Sequence, residues 1–216
     1  VTVRIVTVSR QMGSGGSEVA GRLARALGWS LLDNAIVDRV ARGLGVTPAQ
    51  VEAIEERVPS LAVRLADTLA LGAQEPLSAL LPQDLPPTEE RLLEVTNRVV
   101  DEAIARGPVV LVGRGAQARL EHRPDAFHIL CVSAHDVLVD RVRLRDNITP
   151  EEAARRVDDV NRQRSSFIQR HWKRAWLDPT HYHLCLNTGW LGIDGAVALA
   201  IDAIRRLDPG LRISDG

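Results

Sequence analysis

Cysteine is scarce: Cys131 and Cys185 are the only two in 216 residues. Each lies in a short apolar run, FHILCVS and HYHLCLN, where a thiol behaves as a small buried hydrophobe, so packing is expected rather than a redox or metal role. The sequence also lacks any run near the ~20 apolar residues of a membrane span. Residues 1–30 lack the charged-then-apolar pattern of a secretory leader. A cytoplasmic protein with no membrane partner is the expectation. Charge of one sign is lacking too: 27 basic and 28 acidic residues are interspersed, for a formal net charge of −1. No uniformly basic face for nucleic acid follows, and any anion site must be a local cluster. The six histidines form no metal pattern. His181 and His183 alternate along an expected strand and would share one face, but no third ligand accompanies them.

What is present is enough apolar content, 45%, for one α/β core, and a regular order of strand and helix signals. Val3 to Val8 reads as a strand. SRQMGSGGS is a glycine-rich turn, and Val19, Leu23 and Leu27 mark one apolar face of the next helix. SLLD is a short strand, followed by helices over about 37–44 and 47–57. A helical insertion with loops is expected over 45–87. Thr88 caps a helix ending near Gly107-Pro108, and PVVLVGRG and FHILCVS are further strands. A helix follows from Ala134 to Arg145. Thr149-Pro150-Glu151-Glu152 is a capping box opening a long polar helix. HYHLCLN is the last strand, and a helix over 192–206 closes the chain. Strands that are nearly continuous in hydrophobicity and separated by helices predict a parallel sheet covered on both faces. Ligands bind such sheets beyond the carboxyl ends of the strands, where Arg10 to Ser17, Asp33 to Arg39 and Gly113 to Gly115 fall.

The first of these turns carries the chemistry. Backbone N–H groups at a glycine-rich helix start point at an anion, and the helix dipole favours negative charge there. Gly13, Ser14, Gly15, Gly16 and Ser17 are the candidate phosphate cradle, with the Ser17 hydroxyl placed for Mg²⁺. The full G-x-x-x-x-G-K-[ST] pattern is absent: Gly16 holds the lysine position and Arg10 that of the first glycine. A plain strand-to-helix turn is the competing reading of the loop alone.

The chain resembles the cytidylate kinase-like family, a branch of the nucleoside monophosphate kinases. Ser9, Arg10, Gly13, Ser14, Gly15 and Gly16 match that branch's S-R-x-x-G-S-G-G. The resemblance implies a single P-loop NTPase/NMP-kinase-like domain over 1–216, with a helical insertion and an arginine-rich lid near 145–175. It also implies ATP and Mg²⁺ as cofactors. LLDNAIVDR resembles the substrate segment LDSGxxYR, which carries Asp33 and Arg39 over. GRD becomes GRG, keeping Arg114 and replacing the acid by Gly115. D-x-x-R becomes Asn161-Arg162-Gln163-Arg164, keeping Arg164 but not the carboxylate. By resemblance Arg39, Arg114 and Arg164 hold the acceptor monophosphate, with Asp33 and Asn161 beside it. Arg141 and Arg145 close over the transferring group, and Arg10 stands in for the missing lysine. Guanidinium forks bind phosphate whatever base is attached, so CMP specificity does not follow. The expected activity is phosphoryl transfer to a nucleoside monophosphate or similar phosphorylated acceptor; the rival is a nucleotide-binding sensor or interaction module without turnover. The polar helix should present Arg155, Arg156 and Arg162 to solvent, and His171, Trp172 and Trp176 should pin its end to the body.

Overall fold

A computed structural model describes residues 2–33 and 89–211, with side chains from residue 93 onward in the second stretch. The helices expected over 37–44 and 47–57, the insertion over 45–87 and Arg39 lie outside the described residues. The chain divides into two compact units, Val1–Asp33 with Val100–Gly216, and Asn34–Val99.

In the first unit, five parallel strands form one sheet in the order β2-β3-β1-β4-β5. The strands are β1 Ile5–Arg10, β2 Ser30–Leu32, β3 Val109–Val112, β4 Ala126–Val132 and β5 Leu184–Asn187. The helices are α1 Gly16–Leu27, α2 Glu89–Arg106 (which starts in the second unit), α3 Ala116–Arg119, α4 His135–Asp146, α5 Pro150–Trp172 and α6 Thr188–Leu207. β1 runs two residues past its expected end because Ser9 and Arg10 pair with Leu130 and Cys131 of β4. That extension carries Arg10 to the carboxyl edge as part of the sheet.

Alternation along the strands separates two faces. Val6, Val8, Val110, Val112, Phe127 and Ile129 point to one, where they pack with Val19, Leu23 and Leu27 of α1 and Ala196, Ala200 and Ile204 of α6. The four-residue spacing on α1 is what brings those three side chains onto a single stripe. Ile5, Leu111 and Leu130 are buried on the other face, and α3 packs against β1. A smaller cluster of Leu138, Val142, Ala153 and Val157 joins α4 to α5, with Met12 of the loop packed against it. The capping box at α5 is formed as expected: Thr149 Oγ1 accepts from Glu152 N at 3.2 Å, and Glu152 Oε2 accepts from Thr149 N at 3.1 Å.

Three expectations are corrected. The last strand spans only four residues, and His181 lies in a 3₁₀ turn, Pro179–His181. His181 and His183 therefore do not share a strand face. His181 lies near Glu121, whereas His183 stacks on His128 at 5.0 Å between ring centroids. Cys185 is exposed on the edge strand, while Cys131 is buried and its thiol is pushed up to about 12 by desolvation. The closing helix begins earlier, at Thr188, and Gly192 breaks it with φ 68° and ψ 176°. Gly192 lets the chain turn at a point where the apolar period alone shows only a helix beginning.

His128 is buried beneath the sheet, its Nδ1 2.8 Å from Thr7 Oγ1. Desolvation first, and then His183, hold its imidazole down to about 4. The unfolded chain takes up this proton near pH 6.5, and the folded chain refuses it until about pH 4. Stability is therefore complete above pH 6.5 and falls as the pH drops through that window. Urea titrations should show this residue removing about 2 kcal/mol between pH 7 and pH 5, with the corresponding slope lost in His128→Gln.

Candidate active site

The parallel order brings the ends of β2, β3 and β1 side by side, and one arginine spans them. Arg10 leaves β1 on the α1 side, crosses Gly113 after β3, and comes within 3.7 Å of the Asp33 carboxylate after β2. A Cβ at Gly113 would overlap Arg10 Nη1, so the guanidinium lies directly on that glycine's backbone. At the other end of the side chain, a Cβ at Gly16 would overlap Arg10 Cβ and crowd Cys131 Cβ. Side chains at 10 and at 16 therefore compete for one space. A lysine at 16 is sterically incompatible with the arginine at 10.

The loop itself is held open by backbone geometry. Gly13 and Gly15 have φ of 81° and 73°, a region costly for residues with a Cβ. A Cβ at Gly13 would meet the Leu138 carbonyl, and one at Gly15 the end of Ile193. Ser14 is buried, and its hydroxyl donates to Gln11 O at 2.8 Å. Its carbonyl accepts from Thr188 Oγ1 at 2.5 Å and from Arg141 Nη1 at 3.3 Å. Arg141 also donates to Thr188 Oγ1 and O, both at 3.0 Å, so it ties the loop to the start of α6. Ser17 is exposed in the first turn of α1.

From the other side, α5 grips the same loop. Asn161 Oδ1 accepts from Met12 N at 2.8 Å, and Arg164 Nη1 donates to Arg10 O at 2.7 Å. Arg164 is pushed down to about 9, by desolvation first and then by Arg10 and Arg114, with Asp33 opposing. Arg10 is likewise lowered by desolvation, against the pull of Asp33. Arg10, Arg114 and Arg164 thus crowd one edge with Asp33 as the carboxylate acting against them. Arg145 contributes to the same field, although its guanidinium is forked onto Asp146. An open cavity of about 380 Å³ lies over the loop, walled by Gly13, Gly15, Gly16 and Ser17 and by Arg10, Arg141, Arg145 and Arg164.

These positions locate the residues singled out in the sequence. Arg10, Asp33, Arg114 and Arg164 converge. Asn161 and Arg141 act on the loop's backbone, and Arg155, Arg156 and Arg162 are solvent-exposed or half-exposed, with Arg162 paired to Asp159. Sequence reasoning missed Thr188 and Gln11 as loop supports. The only local sign of Thr188 was its place after Asn187, whose Oδ1 caps α6 by accepting from Gly189 N and Trp190 N. It also missed what faces Gly115, where a Cβ would run into the ring of Trp172. An aspartate there is excluded while the indole stays.

The site suits a polyphosphate with a divalent ion: N–H groups at a helix start, several guanidiniums and one exposed hydroxyl. No cluster of three or more metal-ligating side chains occurs among the described residues. Mg²⁺ commonly binds through one or two protein groups plus phosphate oxygens, so Ser17 fits as such a ligand.

The family model described as the cytidylate kinase-like family matches residues 5–189. A search of curated proteins gives no match. Among solved structures, an uncharacterized protein from Eubacterium ventriosum is similar at 20% identity and a TM-score of 0.64, over 93% of this chain and 97% of that one. Shikimate kinase from Bacteroides thetaiotaomicron follows at 15% identity and 0.55, over 93% and 98%. A gluconokinase from Sinorhizobium meliloti is similar at 15% identity and 0.54, over 98% and 97%. These likenesses show a P-loop kinase-like α/β fold. No helix among the described residues is long and apolar enough to cross a membrane.

The competition between positions 10 and 16 has a measurable consequence. Gly16→Lys should destabilise the protein by about 1–3 kcal/mol through overpacking. Adding Arg10→Gly should return part of that loss, and urea midpoints of the single and double variants will show whether it does.

Proposed function

We propose, for a chain that belongs to the cytidylate kinase-like family, that it is an ATP-dependent phosphotransferase acting on a nucleoside monophosphate or a related phosphorylated small molecule. The observation that carries this reading is the convergence of Arg10, Arg114 and Arg164 on a glycine loop at a helix N-terminus. Loosely bound phosphoryl transition states need positioning and charge neutralisation more than a covalent nucleophile. In this reading the backbone N–H groups from Gly13 to Ser17 cradle the donor phosphates. Ser17 would hold Mg²⁺, which when bound would supply charge neutralisation to the phosphates.

Arg114 and Arg164 hold the acceptor phosphate, and Asp33 keeps Arg10 extended across the sheet edge. An acceptor oxygen bonds to the γ-phosphorus as the bond to the β,γ-bridging oxygen breaks, and ADP leaves with that electron pair. Arg10 lies between donor loop and acceptor side, suited to the charge that builds on the transferring group. Arg141 acts by holding the loop, and Arg145 is the cation free to swing from Asp146 as the 145–175 segment closes as a lid. In this reading the ligands are small molecules and the protein works in the cytoplasm, without nucleic acid or membrane partners.

A second reading, a nucleotide-binding sensor without turnover, is favoured by two observations: Gly16 in place of the loop lysine and Gly115 in place of the acceptor-site acid. Turnover with a panel of nucleoside monophosphates, followed by coupled ADP release, separates the two. For a kinase, Arg10→Ala should lower kcat with little change in acceptor KM, and Arg114→Ala should chiefly raise acceptor KM. Each loss should be about 1.5–3 kcal/mol, or roughly tenfold to over a hundredfold. ATP binding with no phosphorylation of any acceptor would establish the sensor instead.

A further inference from the structure

We propose that Trp172 is the positioning residue for Arg114: its indole, lying on the backbone at Gly115, holds the turn that keeps Arg114 within the arginine cluster. Three consecutive residues, Gly113, Arg114 and Gly115, have φ of 69°, 57° and 67°. For the two glycines this is permitted. For Arg114 it is a conformation that a side chain disfavours, and it persists only where the surroundings over-determine it.

The surroundings are two flat groups. The Arg10 guanidinium rests on Gly113 and the Trp172 ring on Gly115, each where a Cβ would collide. Both neighbours of Arg114 are therefore covered, and neither glycine accepts a side chain.

The indole is itself fixed. Phe167 and His171 meet it edge-on, with ring centroids at 5.6 and 5.7 Å. Along α5, Asn161, Arg164, Ile168 and Trp172 are spaced three, four and four residues apart and so share one face. The first two bind the loop's backbone, Ile168 is buried, and Trp172 ends the row against the turn. One rigid helix therefore gauges the separation between the loop that would hold the donor and the turn that would hold the acceptor. Lys173, with φ 58°, stops the helix immediately after the indole.

This inference rests on the reading of Arg114 as an acceptor cation, and the experiment separates the two. Calorimetric titrations of the full chain with CMP and with ATP are compared for wild type, Trp172→Ala, Trp172→Phe, Arg114→Ala and the Arg114→Ala/Trp172→Ala double variant. Trp172→Ala should weaken CMP tenfold or more and leave ATP within about twofold, and Trp172→Phe should recover most of the loss. The double variant should bind CMP no more weakly than Arg114→Ala alone. Additive losses in the double variant, or equal weakening of ATP and CMP, would reduce Trp172 to a structural pin and overturn the proposal. If Trp172→Ala does not fold, Trp172→Leu is read by the same criteria. Should wild type bind no CMP, the same titrations are made with the other common nucleoside monophosphates; if none binds, the nucleoside monophosphate reading fails, and a crystal structure of Trp172→Ala then decides the present point: Arg114 leaving the left-handed region upholds it, and Arg114 remaining there refutes it.

Discussion

The arrangement at the sheet edge depends on one side chain lying flat across it. Arg10 starts beside Gly16, passes over Gly113 and ends at Asp33, so it touches the ends of three structural elements. Each contact restricts a neighbour. Position 16 can hold no Cβ while β1 extends to residue 10, position 113 can hold none beneath the guanidinium, and position 33 faces a cation. The strand order makes this reach possible, because β3 lies between β1 and β2. Had β2 been next to β1, the same arginine would have had no glycine-floored gap to cross.

Crowding cations at a partly dry edge is unfavourable for folding. Arg10 and Arg164 are both lowered by desolvation, and Arg164 further by its neighbours, so the folded chain holds charge it would shed if it could. Guanidinium groups keep their proton regardless, and the repulsion remains in the fold. The dense layer between the sheet, α1 and α6 offsets it, with Val6, Val8, Val19 and Leu23 fully excluded from water. An anion entering this edge would relieve the repulsion, which makes binding and local stability two aspects of one interaction.

What was legible in the sequence was what is encoded within a few residues. The Thr149 to Glu152 capping box, the apolar stripe of α1 and the glycine-rich turn each carry their cause in their own spacing, and each formed. The misread elements depend on partners far away in the chain. Cys185 sits in an apolar run like that of Cys131, but among the described residues β5 is an edge strand with β4 on one side only, and strand order is not written in a local pattern. His181 alternates with His183 in sequence, yet the backbone bonds of the 3₁₀ turn and the contact with Glu121 draw it out of the strand. At the candidate site the residue types were legible from the loop and from resemblance. Their division of labour was not. Asn161 and Arg141 bind backbone atoms 149 and 127 residues away, and Gly115 is small because of an indole 57 residues further on.

The cations gathered at this edge are all guanidinium groups, in a chain where Lys173 is the single lysine beside 26 arginines. The choice also has an electrostatic consequence. Burial and neighbouring cations bring Arg164 from 12.5 to about 9, which leaves it charged at neutral pH. A lysine starting from about 10.4 would be pushed in the same direction with less margin above neutral pH. Three cations can share one desolvated edge only if each starts high enough to survive the others. Arginine meets that condition, and its planar fork lets Arg10 lie flat on Gly113, where a tetrahedral ammonium on a flexible stem would offer no face to the backbone.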